Sequence, residues 1–251
     1  QRYQHEKKDL LKIFDRVLKK GSLVLTKEVE NFENNICNYT GSKYCLGLNS
    51  GTDGLMMALW ALGIKRGDEV ITTPLSFVAS IGAIVHIGAV PVFVDVKEDL
   101  NINENLIEAA ITKKTKAIMP VHWTGKICEM TKIMRIAKKN KLLVIEDAAQ
   151  GMGSYYMNKH AGTFGDIAAF SAHPLKNLNA IGDGGFIITD NKKLYEKIKL
   201  YRNHGIISRD NVEIFGVNSR LDSLNAEILS FRLKKLRNII NKRRKNVSLY
   251  N

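Results

Sequence analysis

Residues 130–150 read MTKIMRIAKKNKLLVIEDAAQ, and within these residues the pattern changes from helix to strand. The first part, 130–140, alternates apolar and basic residues at helical spacing, which predicts a helix. The run LLVI that follows is wholly apolar, as expected for a strand buried on both faces of a parallel sheet. Glu146 and Asp147 end that run. In an open α/β sheet the ligand lies outside the carboxyl ends of the strands, so these acids fall where chemistry is expected.

The same unit repeats in both directions. Strands are predicted over 43–48, 69–73, 91–96, 116–121, 142–146, 167–170 and 185–189, with helices over 53–62, 104–111, 130–140 and 192–200 between them. This alternation favours an α/β layer architecture over separate modules. The helix over 53–62 is apolar nearly all round (Leu55, Met56, Met57, Leu59, Trp60, Leu62), so it should be buried, and Gly63 suits its C′ position. Residues 1–40 read as two helices broken at Gly21-Ser22. Leu229, Leu233, Leu236 and Ile240 recur at helical spacing, which predicts one C-terminal helical stretch with its basic residues on the outer face.

Composition narrows the classes. The 251 residues are 45% hydrophobic, enough for one large domain with a smaller piece at either end. No apolar run is long enough for a membrane span, and the polar N-terminus has no signal core. The three cysteines, Cys37, Cys45 and Cys128, are odd in number and lack metal-type spacing; no metal site is expected, and free thiols in a cytoplasmic protein are the simplest reading. The 38 basic and 25 acidic residues leave a net charge of +13. That charge is spread over many helices, so solvated helix faces or an anionic small substrate account for it better than nucleic acid.

Four segments carry chemical potential. Asn49-Ser50-Gly51-Thr52-Asp53-Gly54 joins a strand to the buried helix and could present free N–H groups to a phosphate, although an ordinary N-cap uses the same residues. Asp147, at its strand end, could hold a pyridinium nitrogen protonated or could cap the next turn. Lys176, in SAHPLKN, follows an apolar strand and a Pro turn; partial burial would lower its pKa toward the neutral amine that Schiff-base chemistry needs, whereas a surface lysine would do none of this. Gly182-Asp183-Gly184-Gly185 reads as a tight turn packed close to something.

Together with KEVENFENNICNYTGSKYCLGLNSGTDGLMMAL, GDEVITTPLSFVAS, GAVPVFVDV, VHWTGK, IEDAAQGMGS, YRNHG and NSRLDSLNAEIL, these segments resemble the DegT/DnrJ/EryC1/StrS family of sugar aminotransferases, over about residues 21–233. The resemblance implies an aspartate-aminotransferase-like α/β fold (fold type I), with a seven-stranded mostly parallel sheet and helices on both faces. It implies an N-terminal helical segment over 1–20, a large cofactor-binding domain over 21–233, and over 234–251 the start of a small domain that family members continue well beyond.

By the same resemblance Lys176 carries pyridoxal 5'-phosphate covalently and moves protons as general base and acid. Asp147 pairs with the pyridine nitrogen, Gln150 bonds near the ring oxygen, and Phe77 stacks on the ring. Gly51, Thr52 and Ser171 hold the phosphate. Asn218 reaches the phosphate of a neighbouring subunit, which implies a homodimer with sites at the interface. His173 and Arg220 are candidates for the substrate side. Asp183 stands where many relatives have Glu, and Ala172 where many have a bulky aromatic.

The expected activity is transfer of an amino group from an amino acid such as glutamate to a keto-sugar, the expected substrates being nucleotide-linked, for surface-polysaccharide or related amino-sugar synthesis. Some relatives carry His in place of the lysine and act as dehydratases; Lys176 favours transamination. A non-catalytic regulatory relative is the other alternative. The loop 206–216 should contribute to sugar choice.

Overall fold

The computed structural model describes residues 2–250. In chain order the helices are α1 (Arg2–Lys19), α2 (Lys27–Thr40), α3 (Gly51–Ala61), α4 (Val78–His86), α5 (Met130–Asn140), α6 (Lys192–Tyr201), α7 (Ser223–Leu233) and α8 (Leu236–Tyr250). The strands are β1 (Tyr44–Leu48), β2 (Glu69–Thr72), β3 (Val90–Phe93), β4 (Thr115–Ile118), β5 (Leu143–Asp147), β6 (Tyr155–Tyr156), β7 (Lys159–His160), β8 (Ile167–Ser171), β9 (Gly185–Thr189), β10 (Ile206–Ser208) and β11 (Asn211–Val212).

Seven of these strands form one sheet in the order β1-β9-β8-β5-β4-β2-β3. The pairs from β8 through β3 are parallel, and β9 runs antiparallel to both β1 and β8. All seven strands expected from the sequence are in this sheet. The largest differences are at the ends of two of them: β3 stops at Phe93 and β4 at Ile118.

Successive residues of a strand face opposite sides, and the core divides accordingly. Leu46, Ile145, Ala169 and Ile187 pack with Leu55 and Leu59 of α3 on one face. Cys45, Ala168, Phe170 and Phe186 pack on the other with Phe32 of α2 and Leu229 of α7. Further along that second face, Ile71, Ile118 and Val144 meet Ile133 and Ile136 of α5. Both faces are therefore covered, which is why the strands read as continuous apolar runs. α3 is buried as its composition demanded, and Gly63 follows it with φ of +82°.

Two expectations are corrected. Residues 104–111 do not form an α-helix; only a 3-10 turn at Glu108–Ala110 is present. The preceding asparagines compete for the backbone, with Asn103 Oδ1 accepting from Asn105 N at 3.1 Å, while Ile102 and Ile107 are drawn into the core. The C-terminal stretch is two helices, not one. It breaks after Leu233, where Lys235 N turns back to Arg232 O at 3.0 Å, so that Leu233 and Leu236 can both reach the core that holds Leu229. The N-terminal α1 lies on α7 through Leu10, Ile13, Val17 and Ile228.

Candidate active site

A cleft of about 420 Å³ opens at the carboxyl ends of β1, β5 and β8, inside the size range of small-molecule sites. Gly51, Thr52, Phe77, Asp147, Gln150, Ser171, His173 and Lys176 all line it. Eight positions spread over more than a hundred residues of sequence thus converge on one cavity.

One end is built by the start of α3. Ser50 Oγ accepts from Asp53 N at 3.0 Å, so Ser50 is an N-cap. The first intrahelical bond runs from Gly54 N to Ser50 O, which leaves the N–H groups of Gly51 and Thr52 ahead of the helical ladder. Such an end favours an anion. Close packing accounts for the glycines. A Cβ on Gly51 would lie 2.9 Å from Ser171 Cβ, and one on Gly185 would lie 2.3 Å from the Ser50 carbonyl carbon. The first residue of β9 therefore packs directly against the loop, and Ser171 stands beside it at the end of β8.

Asp147 ends β5 and is only 4% exposed. Its Oδ2 accepts from Ser80 Oγ at 2.6 Å and its Oδ1 from Ala149 N at 3.1 Å. Burial pushes its pKa up; the Ser80 and Ala149 bonds work against that rise, as does the charge of Lys176. Lys176 follows β8 in a turn closed by its own N–H on His173 O at 2.8 Å. It is half-buried, and burial lowers its pKa while Asp147 opposes that change. Among the described residues Lys176 makes no ion pair, which leaves its amine free for chemistry.

Phe77 is the N-cap residue of α4 and is 67% exposed, so its ring is available to a ligand. His173 is exposed, with Nδ1 accepting from Leu175 N at 3.3 Å. Asn218 and Arg220 are not brought into this cleft. The Asn218 carbonyl accepts from Asn49 Nδ2 at 3.2 Å, and Arg220 donates to Asn203 Oδ1 at 3.0 Å.

Sequence reading missed Ser80, His122 and Trp123, which also line the cleft. His122 is fully buried; its Nε2 lies 2.8 Å from Glu146 Oε2, and Cys128 N donates to its Nδ1 at 3.3 Å. The available signal was the pair of adjacent acids in EDAAQ: alternation sends one of them away from the cleft, where a buried carboxylate needs partners.

Comparison with known proteins agrees with this geometry. Residues 4–251 match the model of the DegT/DnrJ/EryC1/StrS aminotransferase family. The chain is 41% identical over 251 residues to a pleiotropic regulatory protein of Geobacillus stearothermophilus, covering all of this chain and 68% of that one. It is 44% identical over 250 residues to dTDP-3-amino-3,6-dideoxy-alpha-D-galactopyranose transaminase of Aneurinibacillus thermoaerophilus, covering 99% and 68%. The crystal structure of NtdA from Bacillus subtilis with bound cofactor PMP superposes with a TM-score of 0.87 at 39% identity, over 92% of this chain and 53% of that one. The chain thus spans between about half and about two thirds of the length of these relatives. This sequence, from the glycine turn at Gly51 to the lysine at Lys176, belongs to the DegT/DnrJ/EryC1/StrS aminotransferase family.

Proposed function

We propose that this chain provides the cofactor-binding part of an enzyme that transfers an amino group from an amino acid such as glutamate to a nucleotide-linked keto-sugar. The observation that carries the reading is the convergence of Lys176 and Asp147 in one cleft whose far end is the anion-favouring start of α3. The residues fit pyridoxal 5'-phosphate. A buried acid, a half-buried lysine with lowered pKa, an exposed aromatic ring and a glycine cradle closed by Ser171 are the donor set such a group requires.

When bound, pyridoxal phosphate supplies an aldehyde for amine attachment and a ring that withdraws electrons from the reacting carbon. Asp147, its carboxylate directed by Ser80 and Ala149, would hold a proton at the ring nitrogen. Lys176 Nζ would be the attachment point and, when free, would move the proton at the reacting carbon. Gly51, Thr52 and Ser171 would hold the phosphate, Gln150 would bond beside the ring, and Phe77 would cover one ring face. His173 stands at the substrate side. The proposed division places the cofactor domain at 21–233, with 1–20 an N-terminal helical segment and 234–251 the start of a smaller domain.

The site is proposed to work in a homodimer. Phe77 and Leu175 line the cleft and are exposed, and apolar surface of this kind beside a cleft suits a partner subunit. Asn218, which does not line this chain's cleft, would then reach the phosphate in the partner's, and Arg220 is kept as a substrate-side candidate. No described helix is long and apolar enough to cross a membrane, and a cytoplasmic enzyme is proposed. The regulatory name of one relative raises a second reading, against which stand the lysine and aspartate retained in one cleft.

The test is product analysis. Protein incubated with pyridoxal phosphate should show a visible absorbance band, and with glutamate and a nucleotide-linked keto-sugar should yield an amino sugar. A deoxygenated product without nitrogen would indicate the dehydratase chemistry instead, and protein that binds no cofactor would refute both.

A further inference from the structure

Ser76 and Ser80 lie one helical turn apart at the entry to α4, and neither hydroxyl caps that helix, whose N-cap residue is Phe77. Their oxygens are 2.6 Å from each other, and Ser80 Oγ is 2.6 Å from Asp147 Oδ2. Ser80 is 1% exposed, so this arrangement is shielded from water on the Ser80 side, while Ser76 is half-buried. A hydroxyl has one hydrogen. An ionised carboxylate can only accept, so Ser80 must donate to Asp147, and its oxygen is then left to accept the hydrogen of Ser76. The three groups form one chain of dipoles, Ser76 to Ser80 to Asp147, all pointing toward the negative charge.

We propose that Ser80 is a positioning residue for Asp147, held in its donor orientation by Ser76, and that this two-hydroxyl chain keeps the buried carboxylate ionised and aimed into the cleft. The role of that carboxylate toward a ring nitrogen rests on the function proposed above; the chain itself is a property of the cofactor-free protein. The geometry explains why a serine, and not alanine or valine, occupies an almost fully buried position in the first turn of an apolar helix. An isolated buried hydroxyl is costly, and here its partner is the acid.

The other groups that face Asp147 are known. Lys176 approaches from the loop after β8 and favours its charged form, while His122, from the segment after β4, is engaged by Glu146 and Cys128 N. The residues of the first turn of α4, 78–81, carry no charge, so from that side the hydroxyls are the side-chain groups that oppose the burial penalty. Glu146, on the opposite face of β5, is bound to His122 and to three backbone amides.

The experiment is a pH titration of the Asp147 carboxyl carbon by NMR in cofactor-free protein labelled with ¹³C-aspartate, with Asp147→Asn used to assign the signal. In Ser80→Ala the titration should move to higher pH, and in Ser76→Ala it should move the same way by less. Ser80→Thr, which keeps the hydroxyl, should titrate as the wild type does. In cofactor-loaded protein, Ser80→Ala should lower kcat by about tenfold or more, the size expected for one lost hydrogen bond to a charge. A folded Ser80→Ala with an unmoved Asp147 titration overturns the proposal, even if activity falls, since a merely structural role predicts that pattern. Should Ser80→Ala not fold, Ser76→Ala decides: an unmoved titration there overturns the proposal. Absence of a cofactor band in the wild type would refute the proposed function instead, and the titration would still decide the hydroxyl chain.

Discussion

Glu146 and Asp147 are neighbours on one strand, both buried, and they serve opposite regions of the molecule. Glu146 points into the packed side of the sheet. Its Oε1 accepts from Phe164 N at 2.7 Å and Gly165 N at 2.6 Å, and its Oε2 from Gly162 N at 2.7 Å and from His122 Nε2. Four donors meet the four lone-pair directions of a carboxylate, and nothing is left for a ligand. Asp147 points into the cleft and has two protein donors, Ser80 and Ala149. Its remaining capacity faces the cavity. Two acids of similar burial are thus separated by how many of their lone pairs the protein itself satisfies. A buried carboxylate with spare acceptor capacity marks a site; a saturated one marks a joint of the fold.

The sharpest break of this comparison lies with Lys176, the unpaired group across the cleft from Asp147. Lys176→Ala should remove the visible cofactor band and lower turnover by about 10²–10⁴-fold, as loss of a positioned proton-transfer group does. Thermal stability should stay unchanged or rise slightly, because a half-buried lysine without an ion pair contributes little to the fold. A stable variant that retains full activity would remove Lys176 from the mechanism.

Next in size is the exchange of the two acids' fates. Glu146→Ala should cost about 3–5 kcal/mol in denaturant unfolding, since it strands three buried amides and an imidazole. Asp147→Asn should instead leave folding nearly intact and reduce turnover by about 10²-fold or more, the scale of removing one preorganised electrostatic partner. If the two variants behaved alike in both measurements, the distinction between saturated and spare carboxylates would fail.

The pH dependence of stability follows from the same burial. The folded pKa of Asp147 is raised above its ordinary value of 3.8, chiefly by desolvation. The folded state therefore holds this proton to higher pH than the unfolded chain does, so ΔG of unfolding falls as pH rises from about the ordinary value through the folded one. Above that window the full burial penalty is present. The difference in stability between Asp147→Asn and wild type, measured by urea unfolding at several pH values, should grow in the variant's favour across the window and then level off.

How much of this was legible in sequence depends on the reach of each contact. Lys176 and Asp147 could be singled out because each follows an apolar strand, and strand ends are where α/β sheets bind ligands. The seven strands were legible for the same reason: burial on both faces leaves unbroken apolar runs. Ser80 was not, because its partner lies 67 residues away and a serine in SFVAS looks like any helix-start polar residue. His122 was hidden likewise, its role set by Glu146 across the strand pairing of β4 and β5. The failed helix at 104–111 had adequate periodicity, but local asparagine bonds and the pull of Ile102 and Ile107 into the core prevailed over propensity. The break after Leu233 followed from tertiary demand as well, since helical spacing alone could not show that Leu233 and Leu236 had to face one core from two axes.

The smallest expected effect tests the comparison at the opposite end of the cleft, between Ser50 and Thr52. Both line the cavity, but only Ser50 has its hydroxyl engaged, on Asp53 N, whereas the Thr52 hydroxyl has no hydrogen-bond partner among the described residues. Ser50→Ala should therefore cost about 1 kcal/mol of stability through the lost cap and change pyridoxal phosphate affinity little. Thr52→Ala should change stability by less than about 0.5 kcal/mol and weaken cofactor binding, measured by absorbance titration, by roughly tenfold. The rule drawn from Glu146 and Asp147 is that a polar group already saturated by the chain serves the fold while its unsaturated neighbour serves the ligand. Equal losses of affinity in the two variants would limit that rule to the carboxylates of β5.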